Sequence, residues 1–203
     1  KIKDVDSSRD VWVPPSVVAL GVMAYTEQRD EVWFAPAGFN RGGLNEGNAG
    51  LPVLQASEQL LSKQRDSLYE ANINPIASFV SEGIVVFGQK TLQRQRSSLD
   101  RVNVRRLLLE VKRIVSDSAL KLVFEQNTPQ LRARFVAEVK PQLAVIQSQQ
   151  GLDQFQVIMD STNNTAEDID NNRLNGTIIV VPTRAVEFIS IQFIITRSGV
   201  EFN

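Results

Sequence analysis

The sequence predicts an α/β (α+β) fold: a small mixed β-sheet covered by several helices, with a C-terminal strand arm that seeks its pairing partner outside the chain. Three observations lead to it. Residues 97–127 and 128–148 carry apolar side chains at helical spacing, the last third alternates apolar and polar residues as strands do, and no linker-like stretch divides the 203 residues. A chain of this length can bury one sizeable core. The expected organisation is a single domain over 1–203, with 1–15 as a polar lead-in and 186–203 as the arm.

From the N-terminus, Pro14, Pro15 and Ser16 precede an apolar run from Val17 to Tyr25. Proline suits the first turn of a helix and serine can cap its free N–H groups, so a helix start is expected here. A run apolar on every face also fits a buried strand. Residues 30–50, DEVWFAPAGFNRGGLNEGNAG, hold Gly38, Gly42, Gly43, Gly47 and Gly50 and read as an irregular loop. As a phosphate cradle the stretch 38–43 lacks the lysine that a P-loop places after its second glycine, and it does not read as the tight strand-to-helix turn of a dinucleotide site. A nucleotide-binding α/β module using 38–43 is therefore only the alternative from a different class.

In ASEQLLSKQRDSLYEAN, residues Leu60, Leu61, Gln64, Leu68 and Ala71 fall near one face of a helix. INPIASF and GIVVFGQ follow as short β-branched runs bounded by Pro and Gly, which is how strands read. The strongest helical signal is SSLDRVNVRRLLLEVKRIVSDSALKLVFEQN. Ser97 with Asp100 resembles a capping box, and Val104, Leu107, Leu108, Val111, Ile114 and Val115 form the inward stripe. Arg101, Arg105, Arg106, Lys112 and Arg113 lie on the opposite face or its edges. They read either as a solvated outer face or as a docking surface for an acidic partner; no aromatic residues interleave them, as a nucleic-acid surface would want. Thr128–Pro129 then opens a second helix as N-cap and N1, with Leu131, Phe135, Val139, Leu143 and Ile146 inward. Pro141 lies inside that pattern and predicts a kink or break.

The last third holds two strands, FQVIMD and TIIVV, and then VEFISIQFIIT, which places Ile189, Ile191, Phe193 and Ile195 on one face. A half-apolar terminal strand needs a covering layer and an edge to pair with. Between the first two strands lies DSTNNTAEDIDNNRLNG, residues 160–176, with the only dense carboxylates of the chain. Asp168, Asp170 and Asn172 match the first ligand positions of a calcium loop, but Arg173 stands where the turn needs Gly and Ile179 where the bidentate Glu belongs. Two N-x-T sequons, at Asn163 and Asn175, matter only in a secretory pathway. A polar connector, its side chains bonded back to local backbone, is the better reading.

Composition narrows the function further. Basic residues number 22 and acidic residues 23, so no global field draws the chain to nucleic acid or an anionic membrane. Cysteine and histidine are absent, which removes disulfides, thiolate nucleophiles, the usual zinc sites and the commonest general base. No metal or cofactor site and no catalytic residue is expected. No apolar run approaches the roughly 20 residues of a membrane-spanning helix, and the N-terminus lacks the pattern of a secretory signal. The chain is expected to be soluble and not exported. It opens on Lys1, as a processed chain or the C-terminal part of a longer protein would.

The succession WFAPAGFNRGG, LYEANINPI, GIVVFGQKTL, DRVNVRRL, DSTNNTAEDIDNN and IIVVPTRAVEFISIQFIITRSGVEF, running in order from about residue 11 to the end, resembles the C-terminal domain of contractile tail sheath proteins of the T-even myophage type. The resemblance implies a structural protein without enzymatic activity. It implies stacked hexameric rings around a tail tube, which rearrange into a shorter, wider sheath and drive the tube through the host envelope. Baseplate and tail terminator proteins are the further partners it implies, in a virion assembled in the host cytoplasm. Terminal arms of such proteins add strands to a neighbour's sheet, which assigns Ile189, Ile191, Phe193 and Ile195 to a subunit interface. The core domain lies inward against the tube, which favours the docking reading of Arg101, Arg105, Arg106, Lys112 and Arg113. A bacterial contractile injection system, of the type VI secretion or bacteriocin kind, fits the same residues.

Overall fold

The computed structural model describes residues 1–191 apart from 5, 46, 48 and 49. The lead-in is not a detached tail. Strands β1 (Ile2–Lys3) and β2 (Asp10–Val11) pair antiparallel, and the Ile2 side chain is buried. Next, α1 (Pro15–Arg29) resolves the ambiguity of Val17–Tyr25 in favour of a helix. Its N-cap is Pro14, with Pro15 at N1 and no side-chain cap, so Ser16 lies inside the first turn rather than capping it. Val18, Val22 and Thr26 form its buried stripe, and the fully buried Thr26 hydroxyl donates to the Val22 carbonyl at 2.8 Å.

The glycine-rich loop that follows is irregular, as expected, and packs against a hairpin. Helix α2 (Ser62–Glu70) comes first; it is shorter than its pattern suggested and buries no residue, Leu61 being its exposed N-cap. Strands β3 (Ile76–Phe79) and β4 (Gly83–Val86) then pair antiparallel, with Ile76 opposite Val86 and Phe79 opposite Gly83. The loop meets the last residue of β4 through two backbone hydrogen bonds, Gly38 N donating to Val86 O and Val86 N to Gly42 O, and closes on itself through a third, Gly42 N to Gly38 O. A β-carbon on Gly42 would sit 2.6 Å from Val86 O and 2.8 Å from Gly38 O, so only glycine allows this approach. The amides of Gly38 and Gly42, which an anion cradle would need, are already spent on carbonyls, and the nucleotide-binding alternative loses its site.

Helix α3 (Val102–Leu120) buries Val104, Leu107 and Val111 as the periodicity predicts, with Leu108, Ile114 and Val115 half-buried. Its expected capping box does not form. The N-cap is Arg101, and Ser97 instead accepts from Leu99 N and the Gln93 amide. The chain is held extended just before the helix, where Lys90 bridges Arg101 and Val102 N donates to Gln89 O. Helix α4 (Pro129–Ser148) starts on the predicted Thr128 cap, whose hydroxyl accepts from Leu131 N at 3.2 Å. It continues unbroken through Pro141, against the expected interruption at least as far as a break is concerned. Pro141 and Ala137 both lie on the exposed side, where water can serve the carbonyl that proline leaves unpaired, while Phe135, Val139, Leu143 and Ile146 stay buried on the other.

Strands β5 (Leu152–Ile158) and β6 (Thr177–Pro182) form the third hairpin, with the short helix α5 (Ala166–Asp170) in its connector. The class is α+β as predicted, but among the described residues the strands make three separate two-stranded antiparallel sheets rather than one mixed sheet. The buried side chains likewise divide into two clusters. One gathers Trp33, Leu107, Val139, Leu143 and Leu152 between α3, α4 and the β5–β6 hairpin; the other gathers Ile2, Val18, Val22, Leu44 and Ile84 under α1 and the β3–β4 hairpin.

Candidate assembly surface

The β5–β6 hairpin lies on α4, and its side chains alternate as a half-covered sheet requires. Ile178 and Val180 pack on the α3–α4 core, while Ile179 and Val181 point outward at 49% and 44% exposure. Among the described residues neither outer edge of this hairpin meets another strand. Beside it, Arg132, Ala133, Val136, Ala137 and Lys140 of α4 and Val157 and Met159 line a groove of about 620 Å³. The small alanine side chains leave a helix face uncovered there.

The connector between the strands is built as a polar knot. Asn164, only 4% exposed, donates through Nδ2 to Asp160 O at 3.0 Å and Asn175 O at 2.8 Å, and its Oδ1 accepts from Asn175 N at 2.7 Å. Thr165 and Asp168 make a reciprocal capping box for α5: Asp168 N donates to the threonine hydroxyl, and Thr165 N donates to the carboxylate at 2.9 Å. Those hydrogen bonds hold the Asp168 carboxyl below its ordinary value, as Thr162 does for Asp160. Carboxylates committed to local N–H and O–H groups are not poised for a cation, and no cluster of three metal-ligating side chains occurs among the described residues. The connector reading is the one the geometry supports.

Beyond β6 the chain makes one more ladder-like contact, Thr183 N to Gly151 O at 3.1 Å, and then leaves the sheet. The strand expected over Val186–Thr196 is not formed in its described part. Val186, Phe188, Ile189 and Ile191 are 79%, 80%, 79% and 69% exposed, so both faces of the segment lie open. Phe193 and Ile195 lie outside the described residues. The reason is physical: an extended segment becomes a strand only where a ladder partner is paired with it, and after Thr183 the described part of this segment meets none.

The basic face of α3 is largely engaged within the chain. Arg101 pairs with Asp100 and, through Nε and Nη2, with the Glu187 carboxylate at 2.7 and 2.9 Å. Arg105 reaches Leu99 O and Gln93, Arg106 pairs with Glu27 and Met23 O of α1, and Arg113 pairs with Glu110 and Asp117. Lys112 is exposed. Hydrogen bonds from Arg113 hold Glu110 below the usual carboxylate range against a smaller effect of burial. Such pairing makes Arg101 and Arg106 chiefly internal fasteners, with Arg105, Lys112 and Arg113 the outward members of the set. The Glu187 contact had no signal in the sequence, because it spans 86 residues.

Residues 94–196, which take in α3, α4, the β5–β6 hairpin and the segment after it, match the phage tail sheath C-terminal domain. The chain belongs to that family. This sheath domain is 37% identical over 199 residues to the tail sheath protein of Vibrio phage KVP40 and 33% identical over 200 residues to that of Enterobacteria phage T4. Each alignment covers 98% of the chain but 29% of the relative, so the sheath domain spans under a third of those proteins. Its fold is similar to solved assemblies as well. A chain of the anti-feeding prophage baseplate superposes with a TM-score of 0.79 at 25% identity, covering 91% of the sheath domain and 51% of that chain. A chain of an extracellular contractile injection system, the PVC sheath complex in its contracted state, gives 0.79 at 27% identity with the same coverage.

Proposed function

We propose that the chain is the C-terminal core of a contractile tail sheath subunit. It polymerises with copies of itself as stacked hexameric rings around a tail tube, and contracts to drive the tube through the host envelope. It has no enzymatic activity in this reading, takes no cofactor, and meets tube, baseplate and tail terminator proteins in a virion assembled in the host cytoplasm. One folding unit, 1–203, carries this role, with 186–203 as the arm. The observation that carries the proposal is the β5–β6 hairpin. It is a two-stranded sheet with both edges unpaired among the described residues, and an apolar exposed segment leaves its end. An open edge and a free half-apolar strand are the two halves of a strand-addition joint: backbone ladders hold the connection while alternate side chains set its register. Ile189, Ile191, Phe193 and Ile195 are the side chains that a neighbour's hairpin would cover. Such joints let rigid bodies move while the connections stay paired, and no bound nucleotide is needed if the extended lattice is metastable.

Electron microscopy of the full-length protein expressed alone tests this reading. Hollow tubes are the expected result, and a uniformly monomeric preparation would contradict it. Removing 186–203 is expected to leave a folded domain that no longer polymerises. The likeness to the anti-feeding prophage and PVC chains, at 25% and 27% identity, supports a bacterial contractile injection system as the second reading. The 37% and 33% identity to phage proteins favours the phage tail.

A further inference from the structure

Past Thr183, the described part of the segment after β6 is tied to the body of the protein by hydrogen bonds at Glu187. Between Thr183 and Ile191 every residue but Glu187 is exposed, and the Glu187 side chain retains 18% of its surface. Its carboxylate receives a two-pronged guanidinium contact from Arg101, at 2.7 and 2.9 Å, and the Tyr69 hydroxyl from α2. The Phe188 ring stands edge-on to Tyr69, centroids 6.3 Å apart. Behind Tyr69, the Lys90 ammonium lies 3.7 Å from the ring centre and donates to the Tyr69 carbonyl at 2.5 Å. Lys90 is in turn stitched through its backbone to Asn74, with two contacts of 2.8 Å, and to Arg101 through an isolated bridge.

This seam runs between the two core clusters. Tyr69 and Asn74 flank the entry to the β3–β4 hairpin, whereas Arg101 is the cap residue of α3 in the other core. A bidentate arginine–carboxylate pair fixes both distance and orientation, which a lysine or a single hydroxyl would not.

We propose that Glu187 is the anchor of the C-terminal arm: held by Arg101 and Tyr69, it fixes the point from which residue 188 onward leaves the domain and passes load from the arm into the seam between the two cores. The second half of this proposal rests on the strand-addition reading above; the first half does not. Glu187, Arg101 and Tyr69 are positioning residues, acting through the arm they hold. The same contact occupies the arginine at the start of the basic face.

The test uses the full-length protein, first as unassembled subunits under brief trypsin digestion, with cleavage followed by mass spectrometry. The bond after Arg184 lies three residues before the anchor, and a protease needs that stretch to detach and extend. Glu187→Gln is expected to speed cleavage after Arg184 about 5- to 10-fold, since such cleavage follows the population of the opened state. Arg101→Lys, which keeps the charge but not the fork, is expected to do nearly the same. The reciprocal pair Arg101→Glu with Glu187→Arg is expected to return the rate to within about twofold of the parent. Cleavage after Arg134, on α4 and remote from the anchor, serves as the internal reference and is expected to stay constant. An unchanged Arg184 rate in Glu187→Gln overturns the anchor, and so does a parallel rise at Arg134, which would mark a general loss of stability. For the load-bearing half, Glu187→Gln is expected to lower tube yield several-fold, and undiminished tubes overturn that half. Should the parent protein itself form no tubes, the assembly reading falls while the proteolysis still decides the anchor.

Discussion

Asn164→Asp removes two hydrogen-bond donors at the centre of the β5–β6 connector while keeping size and shape. In the parent, Nδ2 serves the carbonyls of Asp160 and Asn175 at 3.0 and 2.8 Å from a position only 4% exposed. The aspartate keeps the acceptor that takes Asn175 N at 2.7 Å, but turns a second oxygen toward those carbonyls. Leaving a buried acceptor unpaired costs about 1–3 kcal/mol, and the carboxylate facing it adds repulsion, so a loss of about 2–4 kcal/mol at pH 7 is expected. Urea denaturation of the parent and variant chains measures it as a shift in midpoint at constant slope. The pH dependence gives an independent sign. Facing carbonyls raise the folded-state pKa of the new carboxyl above its unfolded value of about 3.9. Its protonated form can donate again, so the deficit is expected to shrink as pH falls through the raised value and to be largest above it. A loss below about 0.5 kcal/mol at pH 7, or a deficit that grows on acidification, would refute the view that Asn164 ties the connector together.

Thr128→Ala removes the α4 cap and is expected to cost about 1 kcal/mol by thermal or chemical denaturation, with Thr128→Ser largely neutral. Gly42→Ala puts a β-carbon 2.6 Å from Val86 O, a backbone atom that cannot swing aside, and is expected to destabilise by about 1–3 kcal/mol. Ile179→Lys, on the outward face of β6, is expected to change stability by less than about 0.5 kcal/mol yet to abolish tubes seen by electron microscopy, because it charges the face that an added strand would share. Burial alone would raise the Glu187 pKa, but Arg101 and Tyr69 outweigh it and hold the carboxyl below its model-peptide value of 4.5. A depressed carboxyl contributes fully above that value and loses its contribution as pH falls through the folded-state pKa. The NMR resonance of the Glu187 side-chain carboxyl is therefore expected to titrate below the ordinary glutamate range, with the contact to Arg101 lost along the same titration, and a midpoint at or above that range would contradict it.

Two four-residue patterns show how far local sequence carries. Ser97-Ser98-Leu99-Asp100 and Thr165-Ala166-Glu167-Asp168 both resemble capping boxes, and only the second forms one. The difference lies outside either pattern: Lys90 and Gln89 hold the chain extended at Arg101 and Val102, which delays the start of α3 past Asp100. The ambiguous run from Val17 to Tyr25 was settled in the same way. Loop and hairpin pack along one stripe of it, and a stripe at i, i+4 and i+8 requires a helix. Leu60, Leu61 and Leu68 had the right period, but Leu61 is exposed and Leu60 and Leu68 are only half-buried, so α2 buries none of its side chains fully. The terminal strand was legible as a pattern and remains unformed in its described part, since a strand is a property of two paired segments and not of one.

Composition and periodicity by themselves determined the class of fold, the inward faces of α3 and α4, the Thr128 cap, the irregularity of the glycine-rich loop, and the lack of histidine and cysteine chemistry. These follow from interactions a few residues apart, which spacing encodes directly. Only the tertiary structure decided that, among the described residues, the core divides in two and the sheet in three, that the arginine face is spent largely on internal partners, and that Glu187 meets Arg101 and Tyr69. Those outcomes depend on which of several chemically equivalent groups lie within about 3 Å after the chain has folded, and hydrogen bonds at that range leave no period in the sequence.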